Sequence, residues 1–154
     1  QRFRDAVLHL ASRYAFARPM VNSGRLSTPC VYAGLSLNGP DDLDGPDRSC
    51  VGAACVDAPL EDGFLLPKLG GVFTVLAINT DAPDIGLKTV LIDTATQDPT
   101  GAVRARYLGQ AAQALYLIRP DQHIAARWPS ATADQIRDAI HIATAQEVRH
   151  AAHA

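Results

Sequence analysis

The sequence predicts an α/β fold: a small mixed sheet with flanking helices, preceded by an N-terminal helix and an extended arm. Three stretches carry this reading. Val72 to Ile78 (VFTVLAI) is a near-continuous apolar, β-branched run of the kind found in a strand covered on both faces. Leu115 to Ile118 and His123 to Trp128 flank Arg119-Pro-Asp-Gln122 and read as a β-hairpin. From 133 to 149, Ile136, Ile140, Ala143 and Glu147 follow along one side of an alanine-rich segment, the pattern of an amphipathic helix.

The chain has 154 residues, 47% apolar and 19% charged, which suits one soluble globular domain rather than a disordered segment. A domain of this size buries about two-thirds of its unfolded surface. A net charge of −2 gives no reason to expect nucleic acid or an anionic membrane as partner. No stretch reaches the roughly 18 consecutive apolar residues of a transmembrane helix. The chain opens at Gln1-Arg2-Phe3-Arg4 inside a helical pattern, with no initiator Met and no signal-like region, as a domain of a larger protein does. Its three cysteines, Cys30, Cys50 and Cys55, are too few and too odd for a secreted disulfide scaffold, so a cytoplasmic location is expected. The spacing of Cys50 and Cys55 matches neither a redox pair nor a zinc knuckle. It leaves their pairing open, and two small loop residues is the plainer reading.

In chain order, Phe3, Val7, Leu10, Ala11 and Tyr14 form the apolar stripe of a first helix, with Arg2, Arg4, Asp5 and Arg13 on other faces. The helix is expected to end near Arg18-Pro19, because a residue before proline is pushed out of the α region. Asn22-Ser23-Gly24 reads as a turn. From Leu26 to Pro59 the chain is rich in Pro, Gly, Asp and Ser and lacks periodicity, so residues 26–58 read as an extended linker arm. The globular part is expected from Pro59. Leu65, Leu66 and Leu69 give a short helical face stopped by Gly70-Gly71, and Thr89 to Ile92 gives a second strand after Val72–Ile78. Residues 101–108 read as a short helix or turn. Thr132 or Ser130 caps the final helix.

Motifs that would carry chemistry are missing from the sequence. Gly70-Gly71 precedes a strand, whereas a dinucleotide fingerprint follows one. No nucleophile elbow or zinc-protease helix occurs, and the aspartates of residues 41–47 lack the ligand ladder of a calcium loop. No catalytic, cofactor-binding or metal-binding residue is therefore assigned. His9 and His141 fall on helices, and His150 and His153 at the tail. His123 lies beside Asp121 and could form an acid/base couple with it, but no third group is evident. Arg119 and Arg127 flank the hairpin turn, placed to pair with Asp121 or with a partner's carboxylate. Arg119, Asp121, His123 and Arg127 are thus the candidate interface or turn residues, against the plain alternative of a solvent-exposed charged turn.

The stretch Tyr116 to Trp128 (YLIRPDQHIAARW), followed by a helix, resembles the C-terminal domain of FAD-dependent aromatic-ring monooxygenases. The branch is the phenol hydroxylase-like one, including hydroxyphenylpropionate and pentachlorophenol hydroxylases. Arg2-Phe3-Arg4-Asp5 and Val21-Asn22-Ser23-Gly24-Arg25-Leu26-Ser27 resemble the helix and turn by which that family leaves its FAD/substrate region. Asp57-Ala58-Pro59-Leu60 and Leu69 to Leu76 resemble the start of its thioredoxin-like domain. The resemblance implies three parts: a helix and turn over 1–25, an arm over 26–58 and a thioredoxin-like domain over 59–154. It also implies FAD and NAD(P)H for the parent enzyme but neither in this piece, with the upstream FAD/substrate domain of the same chain, or a second subunit, as partner.

The family domain has lost thioredoxin's redox chemistry, and here Asn79-Thr-Asp-Ala-Pro-Asp84 stands where a Cys-x-x-Cys would open a helix. One departure stands out. About ten residues separate the first two strands, whereas a parallel crossover takes a dozen or more, so either the crossover helix has shrunk to a loop or the strands pair differently. The function expected is that of an accessory, assembly domain. The rivals are an independent thioredoxin- or peroxiredoxin-like thiol protein and a small-molecule-binding module.

Overall fold

The computed structural model describes residues 2–14 and 29–146. The expected helix end at Arg18-Pro19, the turn at 22–24, the matched segment 21–27 and the tail histidines His150 and His153 lie outside these residues. The first helix, α1, spans Arg2–Arg13. Its stripe is only partly covered: Val7 and Ala11 are half-buried, while Leu10 and Tyr14 are exposed.

The apolar run becomes β3 (Thr74–Ile78), after a small antiparallel pair, β1 (Pro59–Leu60) and β2 (Gly63–Phe64). β4 (Lys88–Ile92) lies parallel to β3, while β5 (Ala114–Ile118) lies antiparallel on its other side and β6 (Ile124–Trp128) antiparallel to β5. The sheet order is β4-β3-β5-β6. Every residue of β3, β5 and β6 is buried, as strands covered on both faces must be. The departure noted in the sequence is thereby resolved. β3 and β4 do pair in parallel, and residues 79–87 join them without a helix. Asn79, at φ 56, turns the chain out of β3, and Ala82, Ile85 and Leu87 from the loop pack on the face that holds Val75.

On that face lies the last helix, α3 (Ala133–Ala143), which buries Ile136 and Ala139 against the sheet. Of the two expected caps, Thr132 serves. Its hydroxyl accepts the Gln135 N–H, and the Gln135 side chain accepts the Thr132 N–H, a reciprocal capping box. The helix stops short of residue 149. The Thr144 hydroxyl donates back to the Ile140 carbonyl at 2.7 Å, and Ala145 takes a left-handed φ of 54°. The opposite face is covered by Leu65, Leu69, Val103, Tyr107 and Leu108, from the 3₁₀ turn Leu66–Lys68 and its flanks and from the π turn Arg104–Leu108 with its flank. A one-turn helix, α2 (Thr94–Gln97), capped by Asp93, follows β4 and was not anticipated from sequence.

The largest correction concerns the arm. Residues 39–55 do not stand apart from the globular unit; they complete it. Gly39 N–H donates to Ala125 O (2.8 Å), Asp42 N–H to Arg127 O (2.9 Å) and Arg127 N–H to Pro40 O (3.0 Å). Further along, Gly52 N–H donates to Ile124 O (2.8 Å), Ile124 N–H to Ala53 O (2.9 Å) and Cys55 N–H to Gln122 O (2.8 Å). The outer edge of β6 is thus paired twice, and Leu43, Val51, Ala53, Cys55 and Ala58 are buried beneath it. Residues of this kind show no periodicity because their partners are some 70 to 90 positions away in sequence. At Gly70, φ is +83°, and a Cβ would lie 2.7 Å from Gln122 Cγ and 3.2 Å from the Pro120 carbonyl oxygen. Gly70→Ala is expected to lower the unfolding free energy by about 1–3 kcal/mol in urea titration; an unchanged midpoint would show that the hairpin tip is not seated against this turn.

Candidate functional site

The hairpin that carries the sequence signature closes with a three-residue loop, Pro120-Asp121-Gln122. Arg119 N–H donates to His123 O (2.8 Å), Gln122 N–H donates to Arg119 O (2.9 Å), and Gln122 adopts φ 63. Proline sets the first turn angle and aspartate bonds its own backbone, the Asp121 carboxylate accepting the His123 N–H at 3.2 Å. Arg119 pairs with Asp121 at 3.0 Å. Burial opposes ionisation of Asp121, but the His123 N–H and the Arg119 guanidinium outweigh it and hold the carboxyl below its usual range.

His123 Nδ1 lies 3.4 Å from Asp121 Oδ1, outside hydrogen-bonding geometry, and its ring meets Tyr32 at 5.1 Å between centroids. Proximity is present; the alignment that a proton-transfer couple needs is not. The turn is instead docked. The Gln122 amide donates to the Leu66 and Leu69 carbonyls at 2.9 and 3.1 Å, and Gly71 N–H donates to Pro120 O at 2.9 Å.

Arg127 is where the structure departs most from the sequence reading. It does not pair with Asp121, and it is 6% exposed. Its Nε donates to Asp41, and its Nη1 donates to the Pro46 and Ser49 carbonyls at 3.0 and 3.1 Å. Its side chain is committed to the arm rather than to the turn. Burial works against the guanidinium's charge, but the Asp41 carboxylate overrides it and pushes the pKa up.

Beside it, across the strand pair, stands Tyr116, whose hydroxyl lies 3.3 Å from Ser49 Oγ and donates to the Tyr107 carbonyl. The Tyr107 hydroxyl in turn donates to Val56 O (2.6 Å) and accepts Val56 N–H (2.9 Å). The two rings meet edge to face at 5.4 Å. Burial pushes both phenols above their ordinary value. Tyr107, Tyr116, Asp41 and Ser49 were missed in the sequence. The one available signal was the hairpin register, which places Tyr116 opposite Arg127.

Where a thioredoxin-type thiol pair would open a helix, the end of β3, stands Asn79. Its amide donates to Ala112 O (3.0 Å), and its Oδ1 accepts from the Thr94 N–H (2.9 Å) and hydroxyl (3.1 Å). An open cleft of about 620 Å³ lies here, lined by Asn79, Thr80, Asp81, Leu91, Asp93 and Arg104 among others. The cysteines are elsewhere: Cys30 is exposed in the arm, and Cys55 is buried there, its thiol pushed up to about 12 chiefly by burial, against the opposing Tyr107 bond. Among the described residues no group of three or more His, Cys, Asp or Glu is placed to hold a metal ion, and no helix is long and apolar enough to cross a membrane.

No protein-family model matches the chain, and no curated protein matches it. Among solved structures, it is similar to the flavin-dependent monooxygenase PieE, determined in complex with FAD and substrate. The TM-score is 0.56 at 20% identity, over 85% of this chain and 28% of that one. The two share a fold. The present chain spans under a third of its neighbour's length.

A thiol raised in the folded state favours the neutral form, so its stabilisation is complete below the unfolded value and is lost as pH rises toward the folded one. Unfolding free energy is expected to fall between pH 9.0 and about 12, with a slope from Cys55 of up to about 1.4 kcal/mol per unit that Cys55→Ala removes. In native protein at pH 8, iodoacetamide should label Cys30 and spare Cys55. Labelling of Cys55 at the rate of a free thiol would contradict its burial.

Proposed function

We propose that the chain is the C-terminal, thioredoxin-like accessory domain of an FAD-dependent, NAD(P)H-using aromatic hydroxylase, and that it serves assembly rather than chemistry. The observation that carries this is the fold similarity to a flavin-dependent monooxygenase over 85% of the chain. It coincides with the hairpin from Arg119 to Arg127, whose sequence resembles that family. The strand order β4-β3-β5-β6, with one parallel pair, two antiparallel pairs and a closing helix, favours a thioredoxin-like unit. FAD and NAD(P)H belong to the parent enzyme in this reading, bound by polypeptide upstream of the chain. The partly covered stripe of α1, with Leu10 exposed beside half-buried Val7 and Ala11, favours a packing role against that upstream domain, since apolar helix faces seldom stay bare. Sparse free cysteines fit a cytoplasmic parent.

The thiol-protein reading loses ground on position and ionisation. It needs an accessible, low-pKa cysteine at the start of a helix, and β3 is followed instead by Asn79 while Cys55 is buried and neutral. Two assays on the purified chain test the proposal. FAD fluorescence should show no saturable quenching, and insulin disulfides should not be reduced faster than by dithiothreitol alone. The chain produced together with the polypeptide encoded upstream in its reading frame should take up FAD and oxidise NAD(P)H. Turnover of insulin disulfides by the isolated chain, or an upstream polypeptide that takes up no flavin, would overturn the reading.

A further inference from the structure

The two edges of the four-stranded sheet are treated differently. The outer edge of β6 is sealed by the arm, whereas among the described residues nothing pairs with the outer edge of β4. An unpaired strand edge is a template for another strand, and proteins ordinarily blunt or cover it. Here the strand is Lys88-Thr-Val-Leu-Ile92, free of proline and regular in its pairing with β3.

Its backbone directions can be read off. Ile92 O accepts the Asn79 N–H, so the alternate residues Lys88, Val90 and Ile92 turn their polar groups toward β3. Thr89 and Leu91 consequently turn theirs outward. The side chains of Val90 and Ile92 enter the core with Leu76 and Ile78, while Thr89 and Leu91 lie on the opposite face, where no crossover helix covers them. Leu91 is 55% exposed.

We propose that this edge pairs with the same edge of a second copy of the chain, antiparallel and about a two-fold axis at Val90. Two constraints select that geometry. Opposed residues must share a face, and among the registers that allow this the one that pairs all five residues of the strand sets Thr89 against Leu91 of the other copy and Val90 against Val90. In this register the outward-facing residues, Thr89 and Leu91, exchange both of their backbone bonds, and each exposed Leu91 is covered by a threonine.

Charge supplies the second constraint. Lys88 is exposed at one end of the strand, and the cleft at the other end is lined by Asp81 and Asp93. Arg104 in the same cleft is turned to the Thr94 hydroxyl at 3.4 Å. Antiparallel pairing brings each lysine to the other copy's acidic end, whereas parallel pairing would set lysine beside lysine. The result is a closed, isologous pair whose eight strands form one sheet. Two five-residue strands bury far less than the about 1,600 Å² of a standard interface, so the association is weak and concentration-dependent. This inference stands independently of the flavoenzyme reading.

Sedimentation equilibrium of the chain from about 10 μM to about 1 mM covers the range that a weak interface requires. The mean mass should rise from monomer toward dimer. Over the same range the amide protons of Thr89 and Leu91 should gain protection from exchange by a factor that tracks the dimer fraction. Thr89→Pro removes an outward N–H, and Leu91→Lys places charge on the covered face; each should weaken association at least about tenfold. Leu91→Lys alters only an exposed side chain, so its thermal midpoint should stay at the native value and keep the test valid if Thr89→Pro fails to fold. A monomer at every concentration would overturn the proposal. So would a dimer that persists in folded Leu91→Lys, or one in which the Thr89 and Leu91 amides gain no protection, because another surface would then be responsible.

Discussion

Arg127 projects from β6 across the edge of the sheet into the arm, where Asp47–Ser49 form a 3₁₀ turn. A guanidinium can be buried only if its donors are met. Here they are met by the Asp41 carboxylate and by the Pro46 and Ser49 carbonyls, all on the arm. The path of residues 41–49 is therefore dictated by one side chain on a strand some 80 residues later. Backbone pairing on both sides of that contact, at Gly39–Asp42 and at Gly52–Cys55, then closes the edge of β6. Tyr116 and Tyr107 extend the polar interior by tying Ser49 and Val56 to the central strand and to the π turn. Removing the arm would expose the edge of β6, strip the cover from Tyr107 and leave a buried cation without acceptors.

Much of the sheet was legible in the sequence because its signals are local. The continuous apolar run gave β3, the Pro-Asp turn gave the β5–β6 hairpin, and the alanine-rich stripe behind Thr132 gave α3 with its cap. The illegible parts depend on distant partners. The arm reads as turns and linker because Gly, Pro and Asp describe only its bends; its hydrogen bonds are to β6. Arg127 and Asp121 looked like a pair by proximity in sequence, yet they serve opposite sides of the hairpin: Asp121 shapes the turn with Arg119, and Arg127 holds the arm. The sequence signature thus marks a folding device, in which Gln122 anchors one flank of the turn and Arg127 the other.

The same features bear on function. Around the hairpin, Asp121, Gln122 and Arg127 are engaged in holding the domain together, and Cys55, bonded to the buried Tyr107, is kept neutral by its burial. At the end of β3, Asn79 spends its amide on Ala112 and Thr94, where a thiol enzyme would present a nucleophile. Among the exposed apolar side chains are Leu10 of α1 and Leu91 of the β4 edge.

The arm is part of the folded domain, and truncation tests that most directly. Urea unfolding of a chain beginning at Pro29 should remain cooperative, with a midpoint close to that of the full chain. A chain beginning at Pro59 should lose the cooperative transition and the near-ultraviolet signal of Trp128. Equal midpoints for the two would mean that the sheet stands without its arm, and would contradict the role given to Arg127.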